Sequence, residues 1–187
     1  VYTHQGLNCL SQTFHRLYQK RLARGYWKDR ERPILLNNWE ATYFDFSEEK
    51  LLQIAGKAKD CGVELFVLDD GWFGKRNTEH AGLGDWIANT DKLPSGIVGL
   101  SKKIEEMGMM FGLWFEPEMV NKDSDLYREH PDWIIQTPER KTSHGRFQYV
   151  LDFSRKEVVD KIYGMMAKLL SEAKISYIKW DMNRSIT

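Results

Sequence analysis

Lys179-Trp180-Asp181-Met182-Asn183-Arg184 sets a carboxylate between a cation and an amide at two-residue spacing. The segment follows Ile175-Ser176-Tyr177-Ile178, a β-branched and aromatic run that reads as a buried strand from Ser176 to Asp181. Side chains alternate along a strand, so Lys179, Asp181 and Asn183 share one face and Ile178, Trp180 and Met182 the other. A carboxylate fixed at a strand end, with a cation and an amide beside it, suits covalent attack on a polar substrate. The plain alternative is a strand-end aspartate that pairs with a lysine.

Other residues extend the polar set. Asp69 and Asp70 are adjacent and point to opposite faces of an ideal strand, yet at a strand end both can reach a pocket mouth. Paired acids bind hydroxyls, hold a metal, or act as acid and base; capping the loop before Gly71 is the structural alternative. Trp114 and Glu116 share one face of another strand, and Trp39 stands near the end of a third. Both tryptophans suit the walls of a pocket for a pyranose ring, although a strand tryptophan is also ordinary core. Glu116-Pro117-Glu118 offers further acids, while Pro117 also ends its strand. Arg146 lies in a polar loop with His144 and Gly145, as a fork for a substrate or simply as a solvated arginine. Asp85-Trp86 has a similar status. The histidines 4, 15, 80, 130 and 144 show no metal-binding spacing. No metal and no cofactor are expected, although Asp69, Asp70, Glu116 and Glu118 form an oxygen-rich set in principle.

These residues need elements to position them. Gly6–Ala23 reads as an amphipathic helix through Leu7, Leu10, Phe14, Leu17, Tyr18 and Leu22. A basic connector runs to Pro33, and residues 34–39 form a strand. Ser47 caps a helix with Glu48 and Glu49 in its first turn, which ends at Gly62. A strand over residues 65–70 leads into a long loop, 71–94. A helix over 97–107 precedes a strand from Met109 to Phe115. A second long loop carries Pro131-Asp132-Trp133 and Arg146, and Ser154 caps a helix reaching Ala173. Strand and helix thus alternate four times, with the last helix missing, which implies right-handed βαβ units and a parallel sheet. The strands read as apolar runs covered on both faces. All four end in polar or aromatic groups: Trp39-Glu40, Asp69-Asp70, Glu116 with Glu118, and Lys179-Asp181. A barrel gathers its site from the C-terminal ends of many strands. A doubly wound sheet concentrates ligand groups at one switch point after a glycine-rich first turn, and Asn37-Asn38-Trp39-Glu40 is no such turn. The expected fold is α/β: the first half, about four β/α units, of a (β/α)8 TIM barrel that needs about 250 residues in full. Residues 1–33 form the helix and connector leading in, and residues 34–187 the incomplete barrel half, with open edges on its outer strands.

Bulk composition narrows the function. The 187 residues suffice for a core, and Lys plus Arg equal Asp plus Glu at 27 each, against a general nucleic-acid or anionic-membrane binder. No apolar run is long enough to cross a membrane. Cys9 and Cys61 form no disulfide or metal framework and are expected as reduced thiols of a cytoplasmic protein. Val1 is not a start methionine, which predicts a longer parent.

Together Asn37-Asn38-Trp39-Glu40, Leu68-Asp69-Asp70-Gly71-Trp72, Gly84-Asp85-Trp86, the run from Gly112 to Glu118, and Lys179 to Arg184 resemble the retaining α-galactosidases of glycoside hydrolase family 36, especially bacterial members cleaving melibiose and raffinose. The resemblance spans nearly the whole chain. It implies Asp181 as the nucleophile that forms a covalent galactosyl-enzyme. It further implies Asp69 and Asp70 on galactose hydroxyls, Lys179 and Asn183 beside the nucleophile, Trp39 and Trp114 as pocket walls, and Arg146 on substrate. The family's acid/base, an aspartate on a later strand, falls beyond Thr187, so the chain alone is expected to be inactive. A retaining enzyme needs its two carboxyls about 5–5.5 Å apart and its nucleophile ionised, which Lys179 would favour. The implied partner is an α-galactoside oligosaccharide, and the parent is expected to be a homotetramer. Other readings stay open: transfer to a sugar acceptor, as in raffinose synthases; a non-catalytic galactose-binding fragment; or metal-dependent chemistry on a barrel.

Overall fold

The computed structural model describes residues 2–184. The chain divides after Pro33 into two compact units. In the first, α1 (Gly6–Leu17) continues into a π-helical turn (Tyr18–Leu22), and a 3-10 turn (Gly25–Trp27) follows. The helix expected to Ala23 is present, with its final turn widened so that Ala23 N–H reaches the Tyr18 carbonyl at 2.8 Å. Its apolar positions Leu7, Leu17, Tyr18 and Leu22 are exposed.

The second unit is mixed α/β around a four-stranded parallel sheet. Its strands are β1 (Leu35–Asn37), β2 (Leu65–Leu68), β3 (Met110–Phe115) and, after a separate two-stranded pair, β6 (Tyr177–Trp180). They lie side by side in chain order, β1-β2-β3-β6, with Asn37 opposite Val67, Leu68 opposite Leu113, and Phe115 opposite Trp180. A short helix, α2 (Trp39–Thr42), follows β1. Longer helices bridge successive strands: α3 (Glu48–Asp60), α4 (Gly96–Glu106) and, after the small α5 (Asp125–Glu129), α6 (Lys156–Glu172).

The pattern of apolar residues explains these elements. Leu51, Ala55 and Ala58 place a buried stripe at helical spacing on α3, and Ile97, Leu100 and Ile104 do so on α4. Val158, Ile162 and Met166 repeat it on α6. These stripes join the buried strand residues in one core. Each fully buried Leu or Ile contributes roughly 1.5–3 kcal/mol. Ser47 caps α3 as expected, its hydroxyl accepting from Lys50 N–H at 3.3 Å. Gly62 leaves that helix at φ +87°, a conformation that favours glycine.

The structure departs from the sequence expectations in several places. The first strand stops at Asn37, and Trp39 opens α2. β2 ends at Leu68 and β6 at Trp180, so the acids beyond them sit on the loops that follow. Cover on both faces holds for β2 and most of β3 but not for the outer strands: Tyr177 is 41% exposed and Trp180 55%. Neither β1 nor β6 has a second neighbour among the described residues. The second long loop is partly ordered, with β4 (Met119–Asn121) and β5 (Gln148–Val150) pairing antiparallel, along with α5 and a 3-10 turn (Pro131–Trp133). Ser154 does not cap α6. Its hydroxyl and N–H both donate to Asp152 Oδ1, at 2.6 and 3.1 Å, and Arg155 takes the N-cap position.

Candidate active site

Parallel strands in register bring their C-terminal ends to one edge of the sheet, and the polar residues that follow them meet there. Asp181 is the first residue beyond β6, and its N–H still bonds the Phe115 carbonyl at 2.8 Å. The strand ladder therefore fixes its backbone. Its Oδ2 accepts from Trp114 Nε1 and Asn183 Nδ2, each at 3.0 Å, and its Oδ1 accepts from Met182 N–H at 2.8 Å. Partial burial pushes this carboxyl up. The donors Trp114, Asn183 and Met182, with the nearby Lys179 charge, outweigh that and hold it below the usual aspartate value. The carboxylate is thus kept ionised.

Lys179 lies nearer another acid. Its Nζ donates to Asp69 Oδ2 at 2.7 Å, and Asn37 Nδ2 donates to the same oxygen at 2.5 Å. Asp69 Oδ1 accepts from Asp70 N–H at 2.9 Å, and Asp69 N–H donates to Asn38 Oδ1 at 2.8 Å. Asn37 Oδ1 in turn takes Trp39 N–H at 2.8 Å, which ties the start of α2 to this acid. Trp39 is half-buried, with its ring edge-on to Tyr43 and Phe44.

Asp70 points into a different network. Arg76 Nη2 reaches its Oδ2 at 2.8 Å and Nε its Oδ1 at 2.9 Å, with both side chains buried. Arg76 Nη1 donates to Asn121 Oδ1 at 2.9 Å and to the Ala81 carbonyl at 3.1 Å. Asn121, wholly buried, also accepts Leu83 N–H and donates to the Phe147 and Glu79 carbonyls, at 2.9, 2.8 and 3.2 Å. It links the loop after β2 to the β4–β5 pair. Gly82 turns that loop at φ +80°, and a Cβ there would lie 2.8 Å from Arg76 N. Lys92 closes it, donating to the carbonyls of Phe44, Gly71 and Arg76 at 3.0, 3.0 and 3.1 Å. Burial lowers the Lys92 ammonium's pKa.

Lys179, Asp69, Asp181, Asn183 and Trp114 are thus brought together. Trp39 adjoins them through Asn37, and Asp70 stands beside them on its arginine. Arg146 does not join by any direct contact. Half-exposed and at φ +50°, it lies 3.7 Å from Glu79. Arg184 tethers its loop, donating to the carbonyls of Ser143 and Gln148 at 3.2 and 2.9 Å. Trp114 is 1% exposed, packed against Phe73 and Trp86, so it meets the site through its indole N–H. Asp85 serves structure: its carboxylate takes the Asp125 and Leu126 N–H groups at the start of α5, at 3.0 and 2.9 Å.

Glu116 is 0% exposed, and burial raises its carboxyl above the usual range. It accepts from Asn183 N–H at 2.6 Å and from Gln148 Nε2 at 3.1 Å. Among the described residues no three His, Cys, Asp or Glu side chains gather in a metal-binding arrangement. The carboxylates of the oxygen-rich set each face their own donors: Lys179, Arg76, Gln148 with Asn183, and Trp180 on Glu118.

Sequence reasoning passed over Asn37 as a site residue, along with Arg76, Asn121 and Gln148. Asn37 was legible, since it opens the polar motif Asn37-Asn38-Trp39-Glu40 at the end of its strand. The buried roles of Arg76 and Asn121 depend on contacts 6 and 45 residues apart and leave no local signal.

A family model described as Melibiase matches residues 1–187. Alpha-galactosidase AgaA from Geobacillus stearothermophilus is 58% identical over 100% of this chain, and the alignment covers 26% of that protein. Alpha-galactosidase Mel36A from Lactobacillus acidophilus is 54% identical over 100% of this chain, again 26% of its own length. The chain therefore spans about a quarter of these curated relatives. The crystal structure of the GH36 alpha-galactosidase AgaA superposes with a TM-score of 0.93, covering 100% of this chain and 26% of that one. A variant of that Geobacillus enzyme in complex with raffinose, 58% identical to this chain, also gives 0.93 over the same shares.

Proposed function

The chain belongs to the melibiase family, and on that premise we propose that it carries the nucleophile half of a retaining α-galactosidase site. The substrates are oligosaccharides with a terminal α-D-galactosyl residue, such as melibiose and raffinose; a relative's raffinose complex supports this class. One observation carries the reading: Asp181 is fixed by the strand ladder and held ionised by Trp114 and Asn183. Its Oδ attacks the anomeric carbon as the aglycone oxygen leaves, giving a galactosyl ester that water then hydrolyses. The carboxylate's charge favours the oxocarbenium-like transition state. Asp69 and Asp70 take sugar hydroxyls through lone pairs their present donors leave free. Lys179 and Asn183 hold the sugar beside the nucleophile, Trp39 and Trp114 bound the pocket, and Arg146 contacts substrate.

The proton for the leaving group comes from an acid/base outside residues 1–187, so this chain alone does not turn over. Strands laid in chain order, each joined to the next through helices, support reading residues 34–187 as the first half of a (β/α)8 barrel, with 1–33 leading into it. The unpaired thiols of Cys9 and Cys61 suit the cytoplasm.

The test is intact mass of the full-length protein after treatment with an activated 2-fluoro-α-galactosyl reagent, followed by peptide mapping. The expected result is a galactosyl adduct on Asp181 that is absent in Asp181→Asn, whose turnover falls on the order of 10⁴-fold. A folded protein without an adduct would leave a sugar-binding protein with Asp181 as a structural acid.

A further inference from the structure

Glu116 has a place in this architecture that the site chemistry above does not use. Asp181 N–H makes the last backbone bond of β6 to β3, on the Phe115 carbonyl. In a parallel ladder the next bond, two residues on, falls to Asn183 N–H. Glu116 Oε1 takes that N–H at 2.6 Å, with a side chain where a main-chain carbonyl would stand. Asn183, so placed, turns its Nδ2 to Asp181 Oδ2 at 3.0 Å.

The other end of Glu116 is equally specific. Its Oε2 accepts Gln148 Nε2 at 3.1 Å, while Gln148 Oε1 is buried with no partner. A buried carboxyl without a direct cationic partner is costly to keep, and an apolar side chain would fill the space more cheaply. Its one polar service toward the sheet edge is to hold Asn183.

We infer that Glu116 is a positioning residue for Asp181, acting through the Asn183 N–H to set the amide that orients the nucleophile. The inference rests on the reading of Asp181 as nucleophile. What matters is an acceptor oxygen at the right reach. Glu116→Gln retains one, and Gln148 can rotate its amide to present the unpartnered Oε1 to the new NH2 group. Glu116→Asp withdraws the acceptor by one methylene, and Glu116→Met fills the volume without one.

The experiment measures the rate of Asp181 trapping by the 2-fluoro-α-galactosyl reagent in the full-length protein, with thermal melting as the fold check. E116Q is expected within about threefold of wild type, and E116D and E116M at least tenfold slower. Combining either with Asn183→Ala is expected to add no loss beyond Asn183→Ala alone, since both act on one contact. If E116M does not fold, E116D carries the same comparison. Wild-type trapping in E116D or E116M overturns the inference. So does E116Q slowing with them, or losses that multiply with Asn183→Ala. Absence of trapping in the wild type overturns the nucleophile reading instead, so the two failures are distinct.

Discussion

Asp181 and Glu116 are neighbours whose surroundings push them in opposite directions, because one has strong donors and the other mostly burial. The depressed Asp181 carboxyl adds stability above the unfolded aspartate value, and that stability is lost as pH falls through the folded value. On the proposed reading its ionised form is the nucleophile, and the acid limb of activity is expected to follow it. Trp114→Phe removes the Nε1–H donor while keeping most of the ring. The acid limb of trapping is then expected to move to higher pH, as read from a pH–rate profile; an unmoved limb would assign the depression to Asn183, Met182 and Lys179 instead. The sequence put Lys179 on the face of Asp181 and expected its charge to favour that ionisation. It does so, behind the hydrogen bonds from Trp114, Asn183 and Met182, while the lysine itself ion-pairs with Asp69. Alternation along a strand predicts a shared face; which acid a long amine reaches depends on the neighbouring strand.

Elements repeat the lesson at greater length. The central strands and the helices between them were legible because Leu65-Phe66-Val67-Leu68 and the stripe Leu51, Ala55, Ala58 carry their periodicity within one segment. The β4–β5 pair was not, since each strand is three residues long and its partner lies far along the chain. Ser154 read as a cap by type, yet Asp152 competes for it within two residues. The loop after β2 is ordered by buried polar contacts in place of periodicity. Arg76→Met leaves Asp70 buried without its cation, so the full-length protein is expected to lose about 3–5 kcal/mol in urea denaturation. A loss under 1 kcal/mol would mean that water or a neighbour replaces the guanidinium.

At the scale of the molecule, a four-stranded parallel sheet with half-exposed outer strands offers, among the described residues, unpaired backbone groups on both sides. Residues 1–187 expressed alone are expected to self-associate and not to cleave an aryl α-galactoside. Light scattering that found a monodisperse monomer would refute the association. The half-barrel expectation came from the polar ends of the four strands and the absence of a glycine-rich first turn; the expectation of an acid/base beyond Thr187 came from motif resemblance alone, and composition and periodicity reached only as far as a parallel α/β sheet. Lys92 carries a different consequence. An ammonium with all three N–H bonds on carbonyls must be freed by the loop swinging away and lose a proton before its nitrogen can attack an electrophile. In acetic anhydride footprinting of the full-length protein, Lys92 should stay unmodified while exposed lysines such as Lys102 and Lys156 react at once. Its slow labelling, followed by mass spectrometry, would clock how often the loop after β2 opens.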